Sequence, residues 1–168
     1  MAFKTYKGKF KPKNPERYTG KVKEIVYRSQ WEKYVMMYCD TASNVIAWSS
    51  EEVVVPYLCE TDKRYHRYFV DFLIKTNEGV LLVEVKPAHQ CKTPRGPKTK
   101  KLLNEALTYI KNQSKWKAAE SYALDRGWKF VIWTETELQN MGIMPKPLKK
   151  VPGTMKKLPR LKRPKKSR

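Results

Sequence analysis

Cysteine and histidine are scarce in this chain. Cys39, Cys59 and Cys91 are odd in number and far apart, and no CxxC occurs, which argues against a zinc site or a disulfide framework. With only His66 and His89 besides, imidazole or thiolate metal sites are poorly supported, and any metal is expected to be a hard ion on carboxylates. No apolar run approaches the roughly 18 residues of a membrane span, and the opening "MAFKTYKGKFKPK" lacks the apolar stretch of a signal peptide. A soluble, non-secreted protein without a membrane partner is expected.

Acidic residues are also in short supply, 16 against 36 Lys and Arg, for a net charge of +20 over 168 residues. That length suits one domain with a sizeable core. The imbalance is uneven. Residues 1–24 carry eight basic side chains against Glu16 and Glu24, and residues 145–168 carry eleven basic side chains, five prolines and no acid. Residues 25–144 are close to neutral. A near-neutral globule between two basic arms is the architecture of a polyanion binder, with nucleic acid the expected partner. The Pro-punctuated tail 145–168 and the stretch "KFKPKNPERYTGK" both read as disordered until bound.

Between the arms, "YRSQWEKYVMMYCD" spaces Trp31, Tyr34, Val35 and Tyr38 as the apolar face of a helix, with Ser29 as N-cap and Glu32 three residues on. "SSEEVVVPYLCE" reads as a strand whose Pro56 suggests an edge or a bulge. "HRYFVDFLIK" and "GVLLVEVK" read as two strands joined by the turn "TNEG". After the loop "PAHQCKTPRGPKTK", the residues Leu103, Ala106, Leu107, Ile110, Trp116, Ala119, Tyr122 and Ala123 keep helical spacing up to Gly127, a natural C-terminal stop. "WKFVIWTE" is a further buried strand and "TELQNM" a short last helix. The fold class is therefore α/β, a central mixed β-sheet flanked by helices.

Asp71, Glu84 and Lys86 stand inside otherwise apolar strands. Pairing Lys75 with Val80 sets Asp71 opposite Glu84, and a turn at Glu78–Gly79 sets it opposite Lys86 instead; both registers put the three side chains on one face. A three-residue turn with a bulge would break that arrangement. Opposed residues have Cβ atoms about 4.5–5.5 Å apart, so two carboxylates there repel, and a divalent cation on oxygens fits the gap. The plainer alternative is an ion pair of Lys86 with one carboxylate while the other faces solvent. Burying an ion pair that has no use is at best neutral for stability, which favours function.

Asp71 followed by "EVK" at 84–86 resembles the PD-(D/E)xK nuclease superfamily, whose αβββαβ core agrees with the reading above. More narrowly, "YRSQWEKYVMMYCD", "HRYFVDF", "LLVEVKP" and "WKAAESYALDRGWKFVIWTE" are similar to head completion nucleases of T4-like tailed phages and, more distantly, to TnsA-type transposition endonucleases. Val70 stands where the superfamily usually has proline. The resemblance implies Asp71, Glu84 and the Val85 carbonyl as ligands of Mg2+, with Mn2+ able to substitute. It implies Lys86 as the catalytic lysine and Glu32 closing the metal site, although Glu32 reads equally as a cap partner of Ser29. A Mg-dependent DNA endonuclease of phage head completion and head–tail joining follows, with phage head or portal proteins as further partners. Its expected location is the host cytoplasm during assembly, or the virion.

The alternatives are a non-catalytic DNA-binding joining protein with a vestigial site and a junction-resolvase-type nuclease. Lys92, Arg95, Lys98, Lys100 and Lys101 of the basic loop are expected to contact the DNA backbone. Gln90 is a candidate contact to water or phosphate, His89 reads as a phosphate contact rather than a base, and the Trp and Tyr residues read as core.

Overall fold

The computed structural model describes residues 6–146. Strands β1 (Gly8–Lys9) and β2 (Val26–Tyr27) pair antiparallel before helix α1 (Gln30–Thr41). Then come β3 (Val45–Ser50), β4 (Val54–Cys59), β5 (Arg64–Phe69), β6 (Phe72–Thr76), β7 (Gly79–Val85), α2 (Lys100–Leu124), β8 (Lys129–Trp133) and α3 (Glu135–Asn140). The central sheet has the order β3-β6-β7-β8, antiparallel except for the β7–β8 pair, and β4 and β5 form a separate two-stranded ribbon. The chain thus runs αβββαβ through α1, β3, β6, β7, α2 and β8, with the ribbon inserted after the first core strand.

Alternation along the strands divides the core. Phe72, Ile74, Val83 and Val85 point to one side of the sheet, where they pack with Val35, Met36 and Cys39 of α1 and with Trp48 and Trp133. On the other side Leu82 meets Ala119 and Ala123 of α2 and the inner face of the ribbon, Val55, Tyr57, Cys59 and Tyr68. Removing an aliphatic or aromatic side chain of this size from water contributes about 1.5–3 kcal/mol each. Ser29 caps α1, its hydroxyl accepting from the Glu32 amide. Helix α2 stops at a Schellman turn in which Trp128 N–H reaches Ala123 O and Gly127 N–H reaches Leu124 O, with Gly127 at φ 69°, as its glycine implied.

The structure corrects the sequence reading at four places. The first core strand is β3, whose residues 45–48 had no assignment and whose Ser49 and Ser50 the sequence reading joined to the next strand. Val45, Ile46 and Trp48 favour a strand, Ala47, Ser49 and Ser50 interrupt the signal, and pairing with β6 completes it. "VVVPYLC" belongs to the ribbon instead. "HRYFVDFLIK" is two strands, because β5 pairs with β4 while β6 pairs with β3 and β7. The first half of α2 leaves Leu103, Leu107 and Ile110 exposed rather than in the core.

The fourth correction is the N-terminal arm, which is packed over its described residues 6–24. Tyr18 and Phe10 meet the Trp48 indole edge-on at 4.8 and 5.9 Å. The buried Asp40 carboxylate accepts the Lys13 and Asn14 amides at 2.8 and 3.0 Å. Charge and proline content hid these anchors. Of the expected tail, residues 147–168 lie outside the described residues. No helix among the described residues is long and apolar enough to cross a membrane.

Asp40→Ala strands both amides, so thermal denaturation should show a loss of about 1–3 kcal/mol. Cleavage by trypsin near Lys13 should accelerate in parallel. Unchanged melting and digestion would mean that the anchor contributes nothing.

Candidate active site

The "TNEG" hairpin selects the register. Thr76 pairs with Gly79 and Lys75 with Val80, leaving Asn77 and Glu78 as a two-residue turn, and the ladder runs up to Phe72 opposite Val83. The next position along brings Asp71 level with Glu84. The Val85 N–H donates to Asp71 Oδ2 at 2.8 Å. Lys86 Nζ lies 3.0 Å from Glu84 Oε1. Glu84 is buried, 3% exposed, while Asp71 and Lys86 are half-buried. The ion pair of the plainer reading is therefore present, but it engages Glu84 and leaves Asp71 to a backbone amide.

Burial, followed by the nearby Glu84 carboxylate, pushes the Asp71 carboxyl well above the usual carboxylate range, and the Lys86 ammonium and the Val85 amide offset this only in part. Burial works against the Lys86 ammonium too, yet Glu84 and Asp71 outweigh it and hold its pKa above the ordinary lysine value. Negative charge at this corner exceeds what one lysine neutralises. An oxygen-ligated divalent cation fits that imbalance and the donor set.

Tyr68 is a site residue the sequence did not signal. Its hydroxyl donates to Glu84 Oε2 at 2.5 Å, and burial, then the Glu84 carboxylate, pushes its pKa up, so it remains a donor. Strict alternation puts Tyr68 and Asp71, three apart, on opposite faces. The break between β5 and β6 shifts that parity. Tyr68 and Val70 line the ribbon's inner face together with Leu73 and Leu82, the face of Asp71, Glu84 and Lys86.

Glu32 occupies its cap position: Ser29 Oγ donates to its Oε1 at 2.9 Å and the Arg28 N–H to its Oε2 at 2.7 Å. Its charge is nonetheless felt at Asp71 and Lys86. Glu51 links the two acids. Its N–H donates to Asp71 O at 3.1 Å, and its carboxylate pairs with the Arg28 guanidinium. It does so at φ 56°, a left-handed conformation costly for a residue with a Cβ and concentrated at functional sites. Burial raises the Glu51 carboxyl, Arg28 opposing and Glu32 adding to the shift. The only sequence hint was an acidic pair, Glu51–Glu52, interrupting a β-rich stretch.

Beyond Lys86 the chain is pinned by Lys86 N–H to Trp133 O at 3.1 Å and by Ala88 N–H to Glu135 Oε2 at 2.8 Å. It then opens into a cleft against α2 that collects His89, Gln90, Lys92, Lys100 and Lys101. Arg95 and Lys98 are exposed on the loop outside that lining. Trp48 is core, 1% exposed. Separately, the ribbon tip gathers Cys59, Asp62 and His66 with ligand atoms within 4.8 Å of one another, a grouping the sequence spacing argued against and the hairpin creates.

Tyr68→Phe leaves a Glu84 oxygen without its donor, so calorimetric titration with a divalent cation should show weaker binding than in wild type, with the fold retained. Glu51→Gly relieves the left-handed backbone and severs the Arg28 pairing. Its melting temperature should be held while cleavage falls, and equal falls in both would reduce Glu51 to a structural residue.

The family described as the TnsA-like endonuclease N-terminal domain matches residues 42–135, spanning β3 to the start of α3 and so including Asp71, Glu84 and Lys86. The chain is also 40% identical over 144 residues to the head completion nuclease of Enterobacteria phage T4, covering 82% of this chain and 96% of that protein. The chain belongs to the TnsA-like endonuclease family.

Proposed function

We propose that the protein is a metal-dependent DNA endonuclease of phage head completion, with Asp71, Glu84, Lys86 and Glu32 at its active site. The observation that carries the reading is the cross-strand meeting of Asp71 and Glu84 beside Lys86, in a chain of an endonuclease family and similar to a nuclease of head completion. Bound through Asp71, Glu84 and the Val85 carbonyl, Mg2+ or Mn2+ supplies Lewis acidity at the scissile phosphate and a more acidic water.

The remaining work falls to the chain's own side chains. The Lys86 ammonium, kept protonated by two carboxylates, orients the attacking water or steadies charge on the phosphate. Tyr68 holds Glu84 in one rotamer, and the Val85 amide does the same for Asp71. Lys92, Lys100 and Lys101 hold the DNA backbone in the adjoining cleft, with Arg95 and Lys98 on the loop around it. The T4 relative's name states a nuclease of head completion; action on packaged DNA, with head or portal proteins as partners and the host cytoplasm or the virion as the place, is the setting we propose from it. The presence of all four acid and lysine positions favours catalysis over a vestigial joining protein.

Supercoiled plasmid should be nicked or linearised with magnesium and left intact with EDTA. Asp71→Asn and Lys86→Ala should each lose on the order of a hundredfold or more in rate while still retarding DNA in a gel. Undiminished cleavage by Asp71→Asn would place the metal elsewhere. Replacing Lys92, Lys100 and Lys101 with alanine should flatten the slope of log K against log salt by about 0.9 for each phosphate no longer neutralised.

A further inference from the structure

The ribbon has a second face. Alternation turns Val55, Tyr57, Cys59 and Tyr68 inward, and the opposite positions pair as Val54 with Phe69, Pro56 with Arg67 and Leu58 with Tyr65. Tyr65 is 79% exposed, Phe69 46% and Leu58 43%. The Arg67 guanidinium lies over the Phe69 ring at 5.1 Å. None of these six outward residues is acidic, and Glu60 stands beyond Leu58 at the far end, where both line a cleft against α2. The exposed Tyr65 ring, the Phe69 ring under its arginine and their aliphatic neighbours form an outlying aromatic surface.

Its position gives it a use. Phe69 is two residues from Asp71 on the same stretch of chain, and Tyr68, just before it, donates to Glu84 from the inner face. One strand therefore carries the support of the candidate active site on one side and exposed aromatics on the other. DNA leaving the active site along the ribbon meets these rings first. The chemistry of the face selects the kind of DNA. Apart from Arg67 and the Tyr65 hydroxyl it offers no side chain able to read base edges in a groove. Pro56 and Leu58 are poor neighbours for a phosphate-lined duplex, whereas exposed rings and a guanidinium plane are what unpaired bases stack upon.

We propose that the outer face of the β4–β5 ribbon binds an unpaired strand of the DNA substrate, stacking its bases on Phe69, Arg67 and Tyr65, so that the enzyme prefers duplex carrying a single-stranded tail or branch over blunt duplex. This rests on the nuclease reading of the adjacent site and adds its substrate class. The length of the track follows from the strand rise. Tyr65 stands six residues from Asp71, at most about 20 Å of extended chain across the break after β5. That equals about six nucleotides at 3.4 Å per stacked base.

The test is binding by fluorescence anisotropy in EDTA, with blunt duplex and with duplexes bearing tails of increasing length. Wild type should bind tailed duplex more tightly, the gain rising to a plateau near six nucleotides. Tyr65→Ala with Phe69→Leu, the second change keeping an apolar side chain but removing the ring, should reduce the tailed-over-blunt preference on the order of tenfold. A melting curve checks that the ribbon still folds. Cleavage with magnesium should show the same loss of preference. A wild type without tail preference, or a variant that keeps it, overturns the proposal and leaves the face to a protein partner. Tail preference in EDTA with no cleavage in magnesium overturns the nuclease reading and spares this one.

Discussion

The hydrogen bond from the Val85 amide to the Asp71 carboxylate joins the end of one strand to the start of another, and the site is built around that junction. At Val70–Asp71 the chain leaves the ribbon, where β5 had β4 as its partner, and enters the sheet, where β6 lies between β3 and β7. An uninterrupted strand would have sent Tyr68 and Asp71 to opposite faces. The handover brings both to Glu84, so one irregularity supplies an acid, an orienting hydroxyl and a course for the chain past the sheet edge. Glu51 secures the same junction from the β3 side by donating its amide to the Asp71 carbonyl.

The electrostatics follow from that geometry. In this half-buried corner burial first and the Glu84 carboxylate second displace Asp71 upward, while the two carboxylates hold Lys86 up against the effect of burial. A buried ion pair does little for folding in its own right. Keeping such a cluster is intelligible where a cation and a phosphate complete it. The surrounding restraints, Tyr68 on Glu84, Ser29 and Arg28 on Glu32, and Arg28 on Glu51, hold the acids in place at the expense of a strained backbone at Glu51. This agrees with the way local strain concentrates at functional sites.

The domain also shows how a small αβββαβ core is enlarged. The N-terminal segment wraps Tyr18 and Phe10 onto Trp48, and the ribbon covers the second face of the sheet together with α2. Both additions are tied in near the end of β3, where Thr19 N–H donates to Trp48 O and Val70 N–H to Val53 O. One closes the core around α1 and its Glu32, and the other extends from Asp71 into solvent as a track of exposed rings.

The sequence by itself determined α1 with its cap, the end of α2 at Gly127 and the presence of the hairpin. It put Asp71, Glu84 and Lys86 on a common face in both two-residue-turn registers while leaving the choice of turn to the structure. These are local matters of period, capping and turn chemistry, carried by residues close together in the chain. Tertiary structure alone decided the pairing of β3, whose Val45, Ile46 and Trp48 are followed by two weak strand formers, and the division of "HRYFVDFLIK" between two partners. It also decided the anchoring of residues 6–24 on Asp40 and the meeting of Tyr68 and Glu51 with the site. Each of those depends on which distant backbone supplies the next hydrogen bond. A propensity or a spacing carries no information about that, because the partner lies tens of residues away along the chain.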